Sequence, residues 1–94
     1  MDAPTTVSLR VEGRVQGVGY RAWAAGAARA LGLDGWVRNR AAGSVELALA
    51  GPSAQVAEMV ARCRRGPPAA LVTRVEAAAL AAPPEPGFHT LPSR

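Results

Sequence analysis

Residues Gly13 to Arg21 (Gly-Arg-Val-Gln-Gly-Val-Gly-Tyr-Arg) hold three glycines within seven positions and close on an arginine. Before them, Val7, Leu9 and Val11 alternate with Ser8, Arg10 and Glu12, the period of a strand with one buried face. After them, Tyr20, Trp23, Ala24, Ala27, Ala28 and Leu31 recur at helical spacing, and Gly32 stands where a C′ glycine ends a helix. The chain must therefore turn from strand to helix through a loop whose backbone is free to take positive φ. Such a loop can point its N–H groups inward as a cradle and lets a ligand approach the main chain. The helix start adds unpaired N–H groups and the positive end of its dipole. Arg21 adds a fixed cation whose planar fork matches two oxygens of a phosphate. The segment predicts a pocket for a terminal phosphoryl group, formed by Val15, Gln16, Gly17, Val18, Gly19, Tyr20 and Arg21.

The competing reading is a tight turn followed by a solvated arginine. It leaves a cation at the positive end of a helix, which costs roughly 0.3–1 kcal/mol when no anion is near. The anion site accounts for that arginine and the bare turn does not. Two other phosphate motifs fit poorly. Gly17-Val18-Gly19-Tyr20-Arg21-Ala22 matches G-x-G-x-x-A, but 94 residues leave no room for the two βαβ halves of a dinucleotide fold. A P-loop needs a lysine, and the chain has none.

The rest of the chain supplies alternating elements. Gly35-Trp36-Val37-Arg38-Asn39 reads as a strand, Arg40-Ala41-Ala42-Gly43 as its turn, and Ser44 to Ala50 as the return strand burying Val45, Leu47 and Leu49. Gly51-Pro52-Ser53 opens a second helix with Val56, Met59, Val60 and Cys63 as its apolar stripe. Gly66-Pro67-Pro68 stops it. Leu71, Thr73, Val75 and Ala77 alternate as a fourth strand, Pro83, Pro84 and Pro86 stiffen a surface link, and Phe88 to Leu91 suggest a short edge strand. The order strand-helix-strand-strand-helix-strand predicts an α+β, ferredoxin-like split-βαβ (βαββαβ) fold: an antiparallel sheet with both helices on one face. One domain spans residues 1–94, enough to bury about 60–70% of its unfolded surface.

Composition narrows the function. Trp23 reads as core filling, Cys63 as a small buried hydrophobe, and His89, the only histidine, as a surface or edge residue. Arg62, Arg64 and Arg65 face the negative end of the second helix. A single cysteine and no Cys/His cluster predict neither a disulfide nor a metal, and a reduced, cytoplasmic protein. No apolar run reaches the ~20 residues of a membrane span, and Met1 to Thr6 lack a signal-peptide pattern. The net charge of +4 invites an anionic partner. With four aromatics and strands of Val, Leu and Ala, the expected partner is a small acidic substrate rather than a specific nucleic acid.

The first motif, together with Gly35-Trp36-Val37-Arg38-Asn39 and Gly43-Ser44-Val45-Glu46, closely resembles the acylphosphatases, in register from about Val7 to Leu91. The resemblance implies a ferredoxin-like fold and hydrolysis of the carboxyl–phosphate bond of small acyl phosphates, with no metal or organic cofactor. It assigns the catalytic arginine to Arg21 and the catalytic asparagine to Asn39. The expected protein is a monomer. Tyr20 replaces the family's more usual phenylalanine, Ala42 stands where aspartate often precedes the hairpin glycine, and Phe88 to Arg94 lack the common aromatic ending. The alternatives are a non-catalytic anion-binding module and an RNA-binding protein using the same sheet.

Overall fold

A computed structural model describes residues 3–94. The elements follow in the order β1 (Pro4–Arg14), α1 (Tyr20–Ala30), β2 (Asp34–Asn39), β3 (Val45–Pro52), α2 (Ser53–Arg65), β4 (Leu71–Ala79) and β5 (Phe88–Thr90). The strands form one sheet in the order β4-β1-β3-β2-β5. β1 pairs antiparallel with β3 and β4, and β2 antiparallel with β3. Each helix-containing crossover thus skips a strand, as the split-βαβ arrangement requires. The antiparallel sheet expected from the sequence holds for four strands. β5 adds a fifth in parallel with β2, through Gly35↔Phe88, Trp36↔His89 and Val37↔Thr90, so the whole sheet is mixed.

Both helices cover the same face. Leu9, Val11, Val37, Val45, Leu47 and Leu49 of the strands share a buried cluster with Tyr20, Ala24 and Ala28 of α1 and Val56, Met59 and Cys63 of α2. Each large aliphatic side chain buried this way stabilises the fold by about 1.5–3 kcal/mol. α1 ends as its sequence predicts. Gly32 has φ of 70°, its N–H donates to the Arg29 carbonyl, and the Leu33 N–H donates to the Ala28 carbonyl at 2.9 Å. Those two bonds make a Schellman ending.

β4 departs from simple alternation. Its pairing with β1 slips one residue, from Glu12↔Arg74 to Gly13↔Val72. The extra residue turns Val72, rather than Leu71, toward the core, and Leu71 is 65% exposed. Gly13 permits the close approach: a Cβ there would lie 2.2 Å from the Leu71 carbonyl oxygen. A β-bulge of this kind re-aims the strand next to a loop.

The open face carries charge in register. Arg10 lies opposite Glu76 on β4 and Glu46 on β3, and Glu46 lies opposite Arg38 on β2. The row therefore alternates in sign across four strands. Arg10 meets Glu76 at 3.0 Å and Arg38 meets Glu46 at 2.9 Å. The Arg38 guanidinium also stands 4.8 Å above the Trp36 ring.

The link between β4 and β5 must cross from one sheet edge to the other, four strand spacings or roughly 19 Å. The residues between Ala79 and Phe88, at up to ~3.3 Å each, span that distance with some slack. Pro83, Pro84 and Pro86 favour an extended course. Its far end is fixed where the Gly87 N–H donates to Asp34 Oδ1 at 2.8 Å and the Gly35 N–H donates to the Gly87 carbonyl at 2.9 Å.

Candidate active site

β1, β2 and β5 run in the same direction, and their C-terminal ends meet at the start of α1. The glycine loop crosses this end of the sheet. Gly19, the residue before the first turn of α1, is left-handed at φ 79° and ψ 17°, and Gly17 has φ of 73°. A Cβ at either position would meet no atom within 4 Å, so what the loop demands is backbone conformation, not space. No side chain caps the helix and no acidic residue sits in its first turn. The first helical bond runs from the Trp23 N–H to the Gly19 carbonyl at 3.0 Å. The preceding amides are therefore free to meet an external acceptor.

A cavity of about 370 Å³ opens at this point. Val15, Gly17, Gly19, Tyr20 and Arg21 line it from the loop and α1, and Asn39 lines it from the end of β2. Arg21 is half-buried and makes no ion pair among the described residues. Asn39 Oδ1 is buried without a hydrogen-bond partner among the described residues. An uncompensated cation and an open acceptor thus share one cavity with a bare helix start, a set of groups suited to a hydrated anion.

Two residues of the predicted cradle do not line the cavity. Val18 packs against the core. Gln16 turns its side chain to the β2–β3 hairpin, where Nε2 donates to the Arg40 and Ser44 carbonyls. Either could serve an anion only through its main chain. Sequence reasoning missed Ala22 and Thr90, which complete the lining. Ala22 lies one residue past the motif. Thr90 arrives through the parallel β5–β2 pairing, and only the short Phe88–Leu91 edge strand hinted at it.

Past β5 the chain keeps following β2. The Leu91 N–H donates to the Val37 carbonyl and the Arg94 N–H to the Asn39 carbonyl, both at 2.9 Å, while the Ala41 N–H donates to the Arg94 carbonyl at 2.8 Å. The segment without an aromatic ending therefore still flanks Asn39 on its main-chain side.

The remaining reactive side chains stand outside this chemistry. The Tyr20 hydroxyl donates to the Cys63 carbonyl at 2.8 Å, and burial holds its pKa well above the ordinary phenol range. Burial pushes the Cys63 thiol up to about 11, so it remains protonated at neutral pH. His89 is exposed, bonds the Pro86 carbonyl and does not line the cavity. Among the described residues no three His, Cys, Asp or Glu side chains gather as a metal site, and no helix is long and apolar enough to cross a membrane.

A family model described as Acylphosphatase matches residues 7–90. The chain belongs to the acylphosphatase family. An acylphosphatase from Rhodospirillum rubrum is 50% identical over 88 residues, covering 94% of this chain and 97% of its own. One from Rhodopseudomonas palustris is 62% identical over 69 residues, covering 73% and 70%. Among solved structures, an acylphosphatase from Coxiella burnetii matches with a TM-score of 0.89 at 31% identity, covering 94% of this chain and 93% of that one. Membership of the acylphosphatases makes this chain a hydrolase of acyl phosphates, on a fold common to it and the Coxiella burnetii enzyme.

Proposed function

We propose that the protein hydrolyses the carboxyl–phosphate bond of small acyl phosphates by in-line attack of a water held by Asn39. The main-chain amides of Val15, Gln16, Gly17, Val18, Gly19 and Tyr20, with the Arg21 guanidinium, hold the phosphoryl group. The observation that carries this reading is the shared cavity, with Arg21 unpaired on one wall and Asn39 Oδ1 unpartnered on another.

Acyl phosphates are mixed anhydrides with a good leaving group, so positioning and charge stabilisation supply most of what catalysis needs. The water oxygen forms a bond to phosphorus while the bond from phosphorus to the acyl oxygen breaks. Its electron pair leaves on the carboxylate. One water proton passes to a phosphate oxygen of the substrate itself, and the products are carboxylate and phosphate. Asn39 accepts from the water through Oδ1, which fixes the direction of attack. No covalent intermediate on the protein and no metal or organic cofactor takes part. The protein works as a monomer in the cytoplasm, a setting that suits its one, buried cysteine.

Hydrolysis of benzoyl phosphate in the presence of EDTA tests the reading. Removing one contact of this kind typically costs about 10²–10³ in rate. Arg21→Ala is expected to abolish measurable turnover and weaken phosphate binding, and Arg21→Lys to remain poor because a point charge cannot replace the fork. Asn39→Ala should lower kcat while inorganic phosphate still binds. Equal loss of turnover and phosphate affinity in Asn39→Ala would refute the water-holding role.

A further inference from the structure

The cavity is assembled from two stretches far apart in sequence, the glycine loop and the end of β2 with its hairpin. Among the described residues a single side chain ties the one to the other. Gln16 Nε2 donates to the Arg40 carbonyl at 2.8 Å and to the Ser44 carbonyl at 2.9 Å. Those carbonyls belong to the residues that close the hairpin: the Arg40 N–H donates to the Ser44 carbonyl at 2.9 Å, and the Gly43 N–H to the Arg40 carbonyl at 3.0 Å. One NH2 group thus uses both of its donors to straddle the hairpin mouth.

Arg40 follows Asn39 directly, its N–H is bonded to the Ser44 carbonyl and Asn39 itself pairs with Val45, so the hairpin mouth that Gln16 grips moves with the end of β2 that carries Asn39. Both accepting carbonyls also receive a main-chain donor. Losing the Gln16 bonds therefore leaves the hairpin closed but free to move relative to the loop.

We infer that Gln16 is a positioning residue: its side-chain amide sets the separation between the phosphate-holding loop and the Asn39 amide. This rests on the reading above, in which Asn39 holds the attacking water. Gln16 then serves the cavity twice, with its main-chain N–H toward the phosphoryl group and its side chain toward the hairpin. A misplacement of ~1 Å in such a site costs about 10²-fold in rate.

The test is a double-mutant cycle on Gln16→Met and Asn39→Ala, read as kcat and KM for benzoyl phosphate and as the Kd of inorganic phosphate by calorimetry. Methionine keeps the length of glutamine and removes both donors. Gln16→Met is expected to lower kcat by about 10²-fold while the phosphate Kd moves far less. In the Asn39→Ala background the same substitution should cost almost nothing further in kcat, because the group it positions is gone. Multiplicative losses, with Asn39→Ala itself impaired, would overturn the role of Gln16 alone. So would a fall in phosphate affinity as large as the fall in kcat, or an unchanged kcat in Gln16→Met. Wild-type kcat in Asn39→Ala would instead sink the water-holding reading and remove what Gln16 is said to position. Should Gln16→Met not fold, Gln16→Asn withdraws the same NH2 by one methylene and is read in the same cycle, with the same outcomes deciding.

Discussion

Tyr20 stands at the first position of α1 and reaches across to the far end of α2. There the Cys63 carbonyl would ordinarily accept from the amide four residues on, but residue 67 is a proline and has no N–H. The Tyr20 hydroxyl takes that place at 2.8 Å, in a spot where Tyr20 is 2% exposed. A hydroxyl at this position, rather than a plain phenyl ring, therefore has a structural role in this chain. Tyr20→Phe is expected to leave a buried carbonyl unsatisfied and lower the unfolding free energy by about 1–3 kcal/mol. Urea unfolding would show it as a lower midpoint with an unchanged slope. The partner could not be read from the sequence, because a hydroxyl seeking a main-chain oxygen in another helix leaves no periodic trace. The same holds for the Gln16 side chain and its two carbonyls. Asn39 was legible only through the family likeness, since nothing in Gly35–Asn39 marks the last residue of an ordinary strand as reactive.

Elements with strong periodicity were read correctly from their residues. β1 alternates, the Arg40–Gly43 turn closes its hairpin, and the apolar stripe of α2 faces the sheet. β4 was less legible because the bulge opposite Glu12 and Gly13 breaks the alternation of Leu71, Thr73, Val75 and Ala77. A bulge depends on what the neighbouring strand can accommodate, and here that is a missing Cβ on β1. Gly13→Ala is expected to push the Leu71 main chain away and destabilise the fold by about 3 kcal/mol, a loss that thermal unfolding would register. The parallel pairing of β5 escaped for a different reason. Three residues carry too little pattern to show direction, and β5 is placed at the far edge by its pairing with β2.

Across the molecule the arginines divide by location. Arg10, Arg38, Arg40 and Arg74 pair with carboxylates on the open sheet face, and Arg62 pairs with Glu58 along α2. Arg14, Arg21, Arg64 and Arg65 make no ion pair or side-chain hydrogen bond among the described residues. Arg14 ends β1 where the glycine loop begins, and Arg64 and Arg65 end α2, which Tyr20 ties to the start of α1. These four cations therefore stand at the end of the sheet that holds the cavity, while Arg29, also without a carboxylate partner among the described residues, lies at the far end of α1. The field of the four draws in an anionic substrate and weakens as salt shortens its range to about 10 Å at 0.1 M. kcat/KM for benzoyl phosphate is expected to fall several-fold between low and moderate ionic strength while kcat stays nearly constant. The double substitution Arg64→Ser with Arg65→Ser should flatten that dependence.

The pairing of Leu91 and Arg94 alongside Val37 and Asn39 also makes one wall of the cavity depend on residues more than fifty positions downstream. The glycine loop lies near the start of β1's crossover, whereas the stretch that follows Asn39 along its main chain comes after β5. Because the cavity is walled by the glycine loop on one side and by Asn39 and Thr90 on the other, its second wall is complete only when the parallel β2–β5 edge has formed.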